Sequence, residues 1–356
     1  MNILISGGSG FIGSNFIKYF FSKFNNFKII NIDKLSHSSE VDNLQEFKDN
    51  DQYEFIRGDF SNSELVENIL NNHNPNYVIN FAAESHVDKS ILFPEEFIQT
   101  NILGTFKFLV SINNYFQNLK DSHKEEFKFV HISTDEVYGS LSSIADPFQE
   151  DDKYYPNSPY SASKASSDHL VRSFYKTYNL PTIVSNCSNN YGPYQSLEKF
   201  IPLIIFNALN KKNIPIYGNG KQIRDWLFVE DHCEAIIQIL LKASPGEVFN
   251  IGGSNEFQNI DIAEMICNQL DSISPLVLDN NKTSYSSLIT FTKDRPGHDK
   301  RYAVNSSKIK RMLGWEAKTK FEDGLRRTID WYLNNKEWVN SMHGEKYIEW
   351  IKKQYQ

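Results

Sequence analysis

Two hydrophobic periods alternate through the first half of the chain. Short apolar runs rich in β-branched residues, "NILIS", "FKIINID", "YEFIRGD", "NYVINFAA", "KFVHIST" and "PTIVSNC", have the length of strands. Near-continuous apolar runs of this kind suit strands covered on both faces. Between them, stretches such as "GSNFIKYFFSKF" and "SELVENILNNH" repeat apolar residues every three or four positions, as a helix does when one face meets a core. The alternation predicts βαβ units, a parallel sheet and helices on both faces: an α/β fold of the doubly wound Rossmann type.

Past about residue 186 the pattern loosens into Pro- and Gly-punctuated loops with shorter elements. Residues 1–186 are read as one domain, and 187–221 with 251–356 mainly as a smaller, mixed α/β region. Within 222–250, "DWLFVEDHCEAIIQILLK" has the pattern of a helix built to pack on the sheet, so this stretch is expected to return to the first domain. No Pro/Gly/Ser linker separates the two parts.

Composition narrows the class. The chain has 356 residues, 40% hydrophobic and 23% charged, as in an ordinary globular protein. A net charge of −7 speaks against a nucleic-acid partner, which needs a basic face. No run reaches the roughly 18 apolar residues of a membrane span, and "MNILISGG" enters a strand pattern without a basic leader. Cys187, Cys233 and Cys267 are scattered, without a CxxC pair, so neither a disulfide framework nor a metal site is expected. A cytosolic location follows as the expectation.

"ILISGGSGFIGS" places Gly7, Gly10 and Gly13 directly after the first strand and at the opening of a helix. Glycines permit a tight turn and close approach to a pyrophosphate, which then meets free N–H groups at a helix N-terminus. Asp33 follows Gly13 by 20 residues, at the end of the second strand, where an acid accepts ribose hydroxyls and repels a 2′-phosphate. NAD is the expected cofactor. Asp59, in "RGDF" after the third strand, is placed to meet the adenine edge.

In "FKFVHISTDEVYGS" a buried-strand pattern runs straight into Asp135 and Glu136, side by side. Neighbouring carboxylates repel, and burying them is costly unless something pairs with them or uses them. "YSASKASSDHL" then sets Tyr160 and Lys164 four residues apart, on one face of a helix. An ammonium near a phenol stabilises the phenolate and makes a usable base. Thr134, at the end of the preceding strand, completes a Thr/Tyr/Lys set.

With "NFAAESHVDKSI", "NCSNNYGPYQ", "RDWLFVEDH", "NIGG" and "DRPGHDKRY" in order, nearly the whole chain resembles the extended short-chain dehydrogenase/reductase family, in particular its members that dehydrate dTDP-glucose. The resemblance implies that Tyr160 takes the C4 hydroxyl proton as C4 is oxidised, that Glu136 removes the C5 proton, and that protonated Asp135 donates to the departing C6 hydroxyl. Related epimerases lack the acid pair, and related decarboxylases carry the glutamate without the aspartate. Cofactor contacts are implied for Phe11, Ile12, Lys34, Phe60, Ala82, Ala83, Thr100 and Cys187, beside Tyr160 and Lys164. On the sugar nucleotide, the resemblance implies Arg224, Arg295 and His298 at the pyrophosphate and Tyr217 stacked on the base. Ser85, Thr134, Asn189, Glu198, Lys199, Asn259 and Tyr302 are implied elsewhere along it, while His86 and Asp88 are expected to shape their loop. A homodimer packed through "NILGTFKFLVSI" and "ASSDHLVRSFYKTY" is implied as well.

Two stretches depart from the family pattern: "KLSHSSEVDNL" after Asp33, and residues 271–292 on the expected base-binding side. UDP-glucose dehydration and 4-epimerisation are the alternatives that the sequence leaves open.

Overall fold

The structure is a computed structural model that describes residues 1–36, 39, 41–278 and 281–343. His37, Ser38 and Glu40 of the divergent loop, Asp279 and Asn280 of the second divergent stretch, and residues 344–356 lie outside the described residues.

The expected alternation is present from the first residue. In chain order come β1 (Asn2–Ser6), α1 (Phe11–Lys23), β2 (Lys28–Asp33), β3 (Tyr53–Arg57), α2 (Ser63–His73) and β4 (Tyr77–Asn80). Helices α3 (Val87–Leu92) and α4 (Pro94–Phe97) then lead through a π-helical stretch, Ile98–Gly104, into α5 (Thr105–Gln117) and the short α6 (Asp121–Lys124). After these follow β5 (Lys128–Thr134), α7 (Pro159–Tyr178) and β6 (Thr182–Cys187). These strands and β10 (Val248–Ile251) form one sheet of order β10-β6-β5-β4-β1-β2-β3, with every neighbouring pair parallel.

Side-chain alternation explains the two layers. Ile3 and Ile5 face a core completed by Phe16, Ile17 and Phe20 of α1, whereas Leu4 between them faces Val66, Ile69, Phe108, Leu109 and Val171 on the opposite side. Burying each such side chain stabilises the fold by roughly 1.5–3 kcal/mol.

Within the second part of the chain, β7 (Asn189–Tyr191), α8 (Phe200–Leu209), β8 (Ile214–Tyr217), β9 (Ile223–Phe228) and α9 (Val229–Lys242) precede β10. Beyond it lie β11 (Glu256–Gln258), α10 (Asn259–Ile273), β12 (Leu276–Leu278), β13 (Asn281–Thr283), β14 (Ile289–Thr292), α11 (Ser307–Leu313) and α12 (Phe321–Asn334). Strand β9 stands between β11 and β7 in a three-stranded sheet, and β8 pairs in parallel with β14. Residues 222–250 are therefore divided: β9 belongs to the small sheet, while Ile236 and Ile239 of α9 share a core with α1, and β10 extends the large sheet. A separate core gathers Ile204, Ile266, Phe321, Leu325 and Ile329 from α8, α10 and α12. Among the described residues, no helix is long and apolar enough to cross a membrane.

Candidate active site

The carboxyl ends of β1, β4 and β5 open on one side, where ligands bind in sheets of this kind. Gly7 makes the first turn with φ of 74°, and a Cβ there would lie 2.6 Å from the Ala82 backbone nitrogen. A Cβ on Gly13 would meet the Gly7 carbonyl oxygen at 2.4 Å. Both positions therefore exclude larger residues. Gly10 caps α1 with no side chain, leaving first-turn N–H groups toward the cleft for an anion. That cleft is open to solvent, with about 910 Å³ of empty space counted out into the solvent. The glycine turn contributes Gly7, Gly10, Phe11, Ile12 and Gly13 to it, the end of β2 contributes Asp33 and Lys34, and the end of β4 contributes Ala82 and Ala83. Phe60 and Thr100 complete the expected lining.

Asp33 accepts the Ser9 N–H (3.0 Å), the Leu35 N–H (2.8 Å) and the Ser39 hydroxyl (3.1 Å). Burial pushes its carboxyl up, and these hydrogen bonds act in the opposite direction. Lys34 reaches across to Glu84 at 3.7 Å. The glycine turn, the capless helix end and the acid on the neighbouring strand fit a dinucleotide. Four expected contacts, Asp59, Tyr160, Lys164 and Cys187, stand apart from the cleft lining. Asp59 accepts the Ser61 N–H (2.8 Å) in its own turn, and Cys187 donates its thiol to the Ser133 carbonyl (3.3 Å), buried, with its pKa pushed to about 12.

At the end of β5, Thr134 caps a short 3₁₀ turn, Asp135–Tyr138, by accepting the Glu136 N–H (3.3 Å). The turn sends consecutive carboxyls into different surroundings. Asp135 is buried; burial, Glu136 and Asp225 hold it well above the usual carboxylate range. Glu136 is half-buried in a second cleft, where burial also raises it but Arg295, Arg224 and Lys199 pull it back. Both carboxyls are thus shifted toward the protonated form, Asp135 further than Glu136, as an acid beside a base requires.

Tyr160 and Lys164 sit in the first two turns of α7, started by a capping box between Ser158 and Ser161. Here the structure corrects the simple expectation for the phenol. Burial, then Glu136 and Cys187, hold Tyr160 well above its ordinary pKa, against a hydrogen bond with Thr134. The Lys164 ammonium is turned to the Ile132 carbonyl (2.8 Å) and His131 Nε2 (3.3 Å). His131 Nε2 in turn lies 3.5 Å from Asp168. Asp168 also accepts from Ser133 (2.9 Å), Tyr154 (3.1 Å) and Asn186 (3.1 Å). Sequence reading missed this buried network, whose signal was a histidine inside the apolar run "KFVHIST". Asn101 was also missed. Within the π-helical stretch it clasps both backbone groups of Glu84 (2.9 Å each) and the Ser163 hydroxyl (2.9 Å).

The second cleft, about 840 Å³ of space counted out into the open solvent, gathers residues from six places in the chain: Ser85, Asn189, Glu198 and Lys199, Tyr217 and Arg224, Asn259, and Arg295 with His298. It joins the first through the shared residues Ser85 and Lys199, whose ammonium donates to the Ser85 carbonyl (2.7 Å). Buried polar atoms wait there: Asn189 Oδ1 and Arg295 Nε have no hydrogen-bond partner. Burial lowers Lys199 and Arg224 and takes His298 to about 4. Tyr302, expected at the substrate, does not line the cleft. Its ring lies 4.4 Å from the Arg224 guanidinium, and its hydroxyl donates to Asp299, so it backs the arginine. Arg224 also donates to the carbonyls of Ile223 (2.8 Å) and Asp299 (3.0 Å). Phe200 and Pro215, outside the quoted motifs, and Trp226 of "RDWLFVEDH" supply apolar lining.

Parallel sheet, glycine turn and paired clefts define an extended short-chain dehydrogenase/reductase. Comparison with known proteins narrows this. Residues 4–328 match the family described as GDP-mannose 4,6 dehydratase. A dTDP-glucose 4,6-dehydratase of Neisseria meningitidis serogroup B is 49% identical, over 98% of this chain and 98% of that protein. The crystal structure of a dTDP-glucose 4,6-dehydratase from Bacillus anthracis in complex with NAD superposes with a TM-score of 0.84 at 43% identity, covering 96% of this chain and 99% of that one. One from Streptomyces venezuelae, also with NAD bound, gives 0.87 at 35% identity, covering 96% and 100%. The chain belongs to this family, and within it to the group of the dTDP-glucose 4,6-dehydratases.

Proposed function

We propose that the chain converts dTDP-D-glucose to dTDP-4-keto-6-deoxy-D-glucose and water. The observation that carries the reading is the Asp135–Glu136 pair, a raised acid and a cation-supported base at the end of β5 beside Tyr160. The C5 proton of glucose is inert until C4 becomes a ketone; it is then α to a carbonyl, and the C6 hydroxyl becomes a β leaving group.

Tyr160 accepts the C4 hydroxyl proton, with Thr134 hydrogen-bonded to its phenol, while Lys164, one turn along α7, is held by the Ile132 carbonyl and His131. Glu136 withdraws the C5 proton and Asp135 gives its proton to the C6 oxygen, which leaves as water. Glu136 then returns a proton to C5. NAD, when bound, would supply a place for the hydride lost from C4 until it is returned to C6, so that net redox is zero, and the proton taken up by Tyr160 replaces the one that Asp135 gave away. Residues from Gly7 to Gly13, with Asp33, Lys34, Phe60, Ala82, Ala83 and Thr100, would hold it.

Arg224, Arg295, Lys199 and His298 meet the pyrophosphate, Tyr217 the base, and Ser85, Asn189, Glu198 and Asn259 the rest of the sugar nucleotide. Residues 1–186 serve mainly the cofactor, and 187–221 with 251–356 mainly the substrate. A homodimer forms through residues 101–112 and 165–178, where Leu103 and Phe106 are exposed, and the protein works in the cytosol.

Incubation with dTDP-glucose, and separately with UDP-glucose, in heavy water tests the reading by mass spectrometry. Loss of one water with deuterium at C5 is expected, faster with dTDP-glucose. A 4-epimer of unchanged mass would overturn the dehydratase, and faster turnover of UDP-glucose would overturn the nucleotide assignment.

A further inference from the structure

Asp88 carries the wrong charge for its surroundings. It lines the cleft read above as a site for a nucleoside diphosphate, where a carboxylate opposes a polyanion. It is also only 8% exposed, and a buried carboxylate persists only with partners. Its partners identify its task. Oδ1 accepts Nη1 of Arg295 at 2.9 Å, and Oδ2 accepts the Tyr217 hydroxyl at 3.4 Å. The Arg295 guanidinium lies 5.9 Å from the centroid of the Tyr217 ring, so acid, cation and ring close a triangle. Its three corners come from α3, the end of β8 and the segment after β14.

The support behind the triangle is local. His86 accepts the Lys89 N–H (3.4 Å) as the cap of α3 and meets the Glu198 carbonyl (3.4 Å), tying the start of that helix to the segment bearing Glu198 and Lys199. Burial would raise the Asp88 carboxyl; Arg295 and His86 outweigh it and hold the group below its ordinary range, hence ionised.

We infer that Asp88 is a positioning residue for the nucleotide. One carboxylate aims the Arg295 guanidinium and sets the pitch of the Tyr217 ring, so that diphosphate and base are gripped in a single register. This rests on the reading of the cleft as a sugar-nucleotide site. The opposite role predicts the opposite sign. As a mere excess charge, Asp88 would repel the diphosphate, and its neutralisation would tighten binding.

Calorimetric titration of the NAD-loaded protein with dTDP decides between them, using wild type, Asp88→Asn and Asp88→Glu, with Tyr217→Phe in the wild-type and Asp88→Asn backgrounds. Asp88→Asn and Asp88→Glu should each weaken dTDP roughly tenfold or more. In turnover, KM for dTDP-glucose should rise in parallel with the loss of dTDP affinity and by more than kcat falls, since Arg295 also acts on Glu136. Tyr217→Phe should weaken binding in wild type and add less in Asp88→Asn, since the hydroxyl has then lost its carboxylate. Unchanged or tighter dTDP binding in Asp88→Asn, or additive effects of the two substitutions, would overturn the inference. If wild type takes UDP in place of dTDP, the nucleotide assignment falls, while the same variants titrated with UDP still decide the role of Asp88. A wild-type protein that binds neither overturns both.

Discussion

Asp135 and Glu136 share a peptide bond and occupy opposite surroundings: Asp135 Oδ2 is buried without a hydrogen-bond partner, while Glu136 lines a cleft under the influence of Arg295, Arg224 and Lys199. The 3₁₀ turn that Thr134 caps produces this split, since it rotates successive side chains apart at the point where β5 leaves the sheet. Burial beside carboxylates, opposed by Arg224 and the Thr134 hydroxyl, holds a proton more firmly than burial opposed by Arg295, Arg224 and Lys199.

Replacing Glu136 with Gln removes the base while keeping its volume and hydrogen bonding. NAD content and oxidation at C4 should persist, while water loss and deuterium uptake at C5 fall by about 10²–10⁴-fold. Rapid-quench mass spectrometry in heavy water would show this, and normal turnover by the variant would remove Glu136 from the role.

Elimination needs Glu136 ionised and Asp135 protonated, so the rate should be bell-shaped in pH. The acid limb belongs to Glu136 and lies above the ordinary value of 4.5; the alkaline limb belongs to Asp135, far above 3.8. Asp135→Asn should cut turnover by about 10²–10⁴-fold and leave a residual rate without the alkaline limb, as read by kcat across pH.

The same substitution should stabilise the fold. A carboxyl whose folded-state pKa is raised contributes its full stability below its unfolded value and loses it as pH rises toward the folded one. Asparagine does not ionise, so the Tm advantage of Asp135→Asn should be small near pH 4 and grow as pH rises. Melting curves from pH 4 to pH 9 would expose the sign.

Gly7→Ala should cost about 1–2 kcal/mol from its left-handed backbone alone, before the clash with Ala82. Loss of NAD through gel filtration and a lowered Tm are expected.

Tyr302 tests the support behind Arg224. Tyr302→Leu removes the ring under the guanidinium and should raise KM by an amount worth about 0.5–2 kcal/mol, whereas Tyr302→Phe keeps the ring and loses only the hydroxyl to Asp299. Initial-rate kinetics on dTDP-glucose separate the two.

The large sheet and the glycine turn were legible because period and steric necessity are local: "SELVENILNNH" is α2 residue for residue, and no other residue fits where Gly7 stands. Tyr302 was misplaced because its motif says that it is near Arg224 but not on which side of the guanidinium it lies. The phenol of Tyr160 was misjudged because four residues along a helix fix a shared face, while the direction of the Lys164 ammonium is fixed by a carbonyl and a ring from β5. Residues 271–292 looked idiosyncratic, yet their last four form the strand paired with β8, with Thr292 beside Tyr217. Pairing between strands distant in sequence leaves little trace in either segment alone.

That pairing bears on how such enzymes diverge. Tyr217 is carried on a ribbon of two strands, β8 and β14, set apart from the seven-stranded sheet that carries the proton-moving groups. On the proposed reading of Tyr217 at the base, changes in the segment that leads into β14 should alter nucleobase preference while Thr134, Asp135, Glu136 and Tyr160 stay where they are, which would let substrate range drift without loss of the reaction.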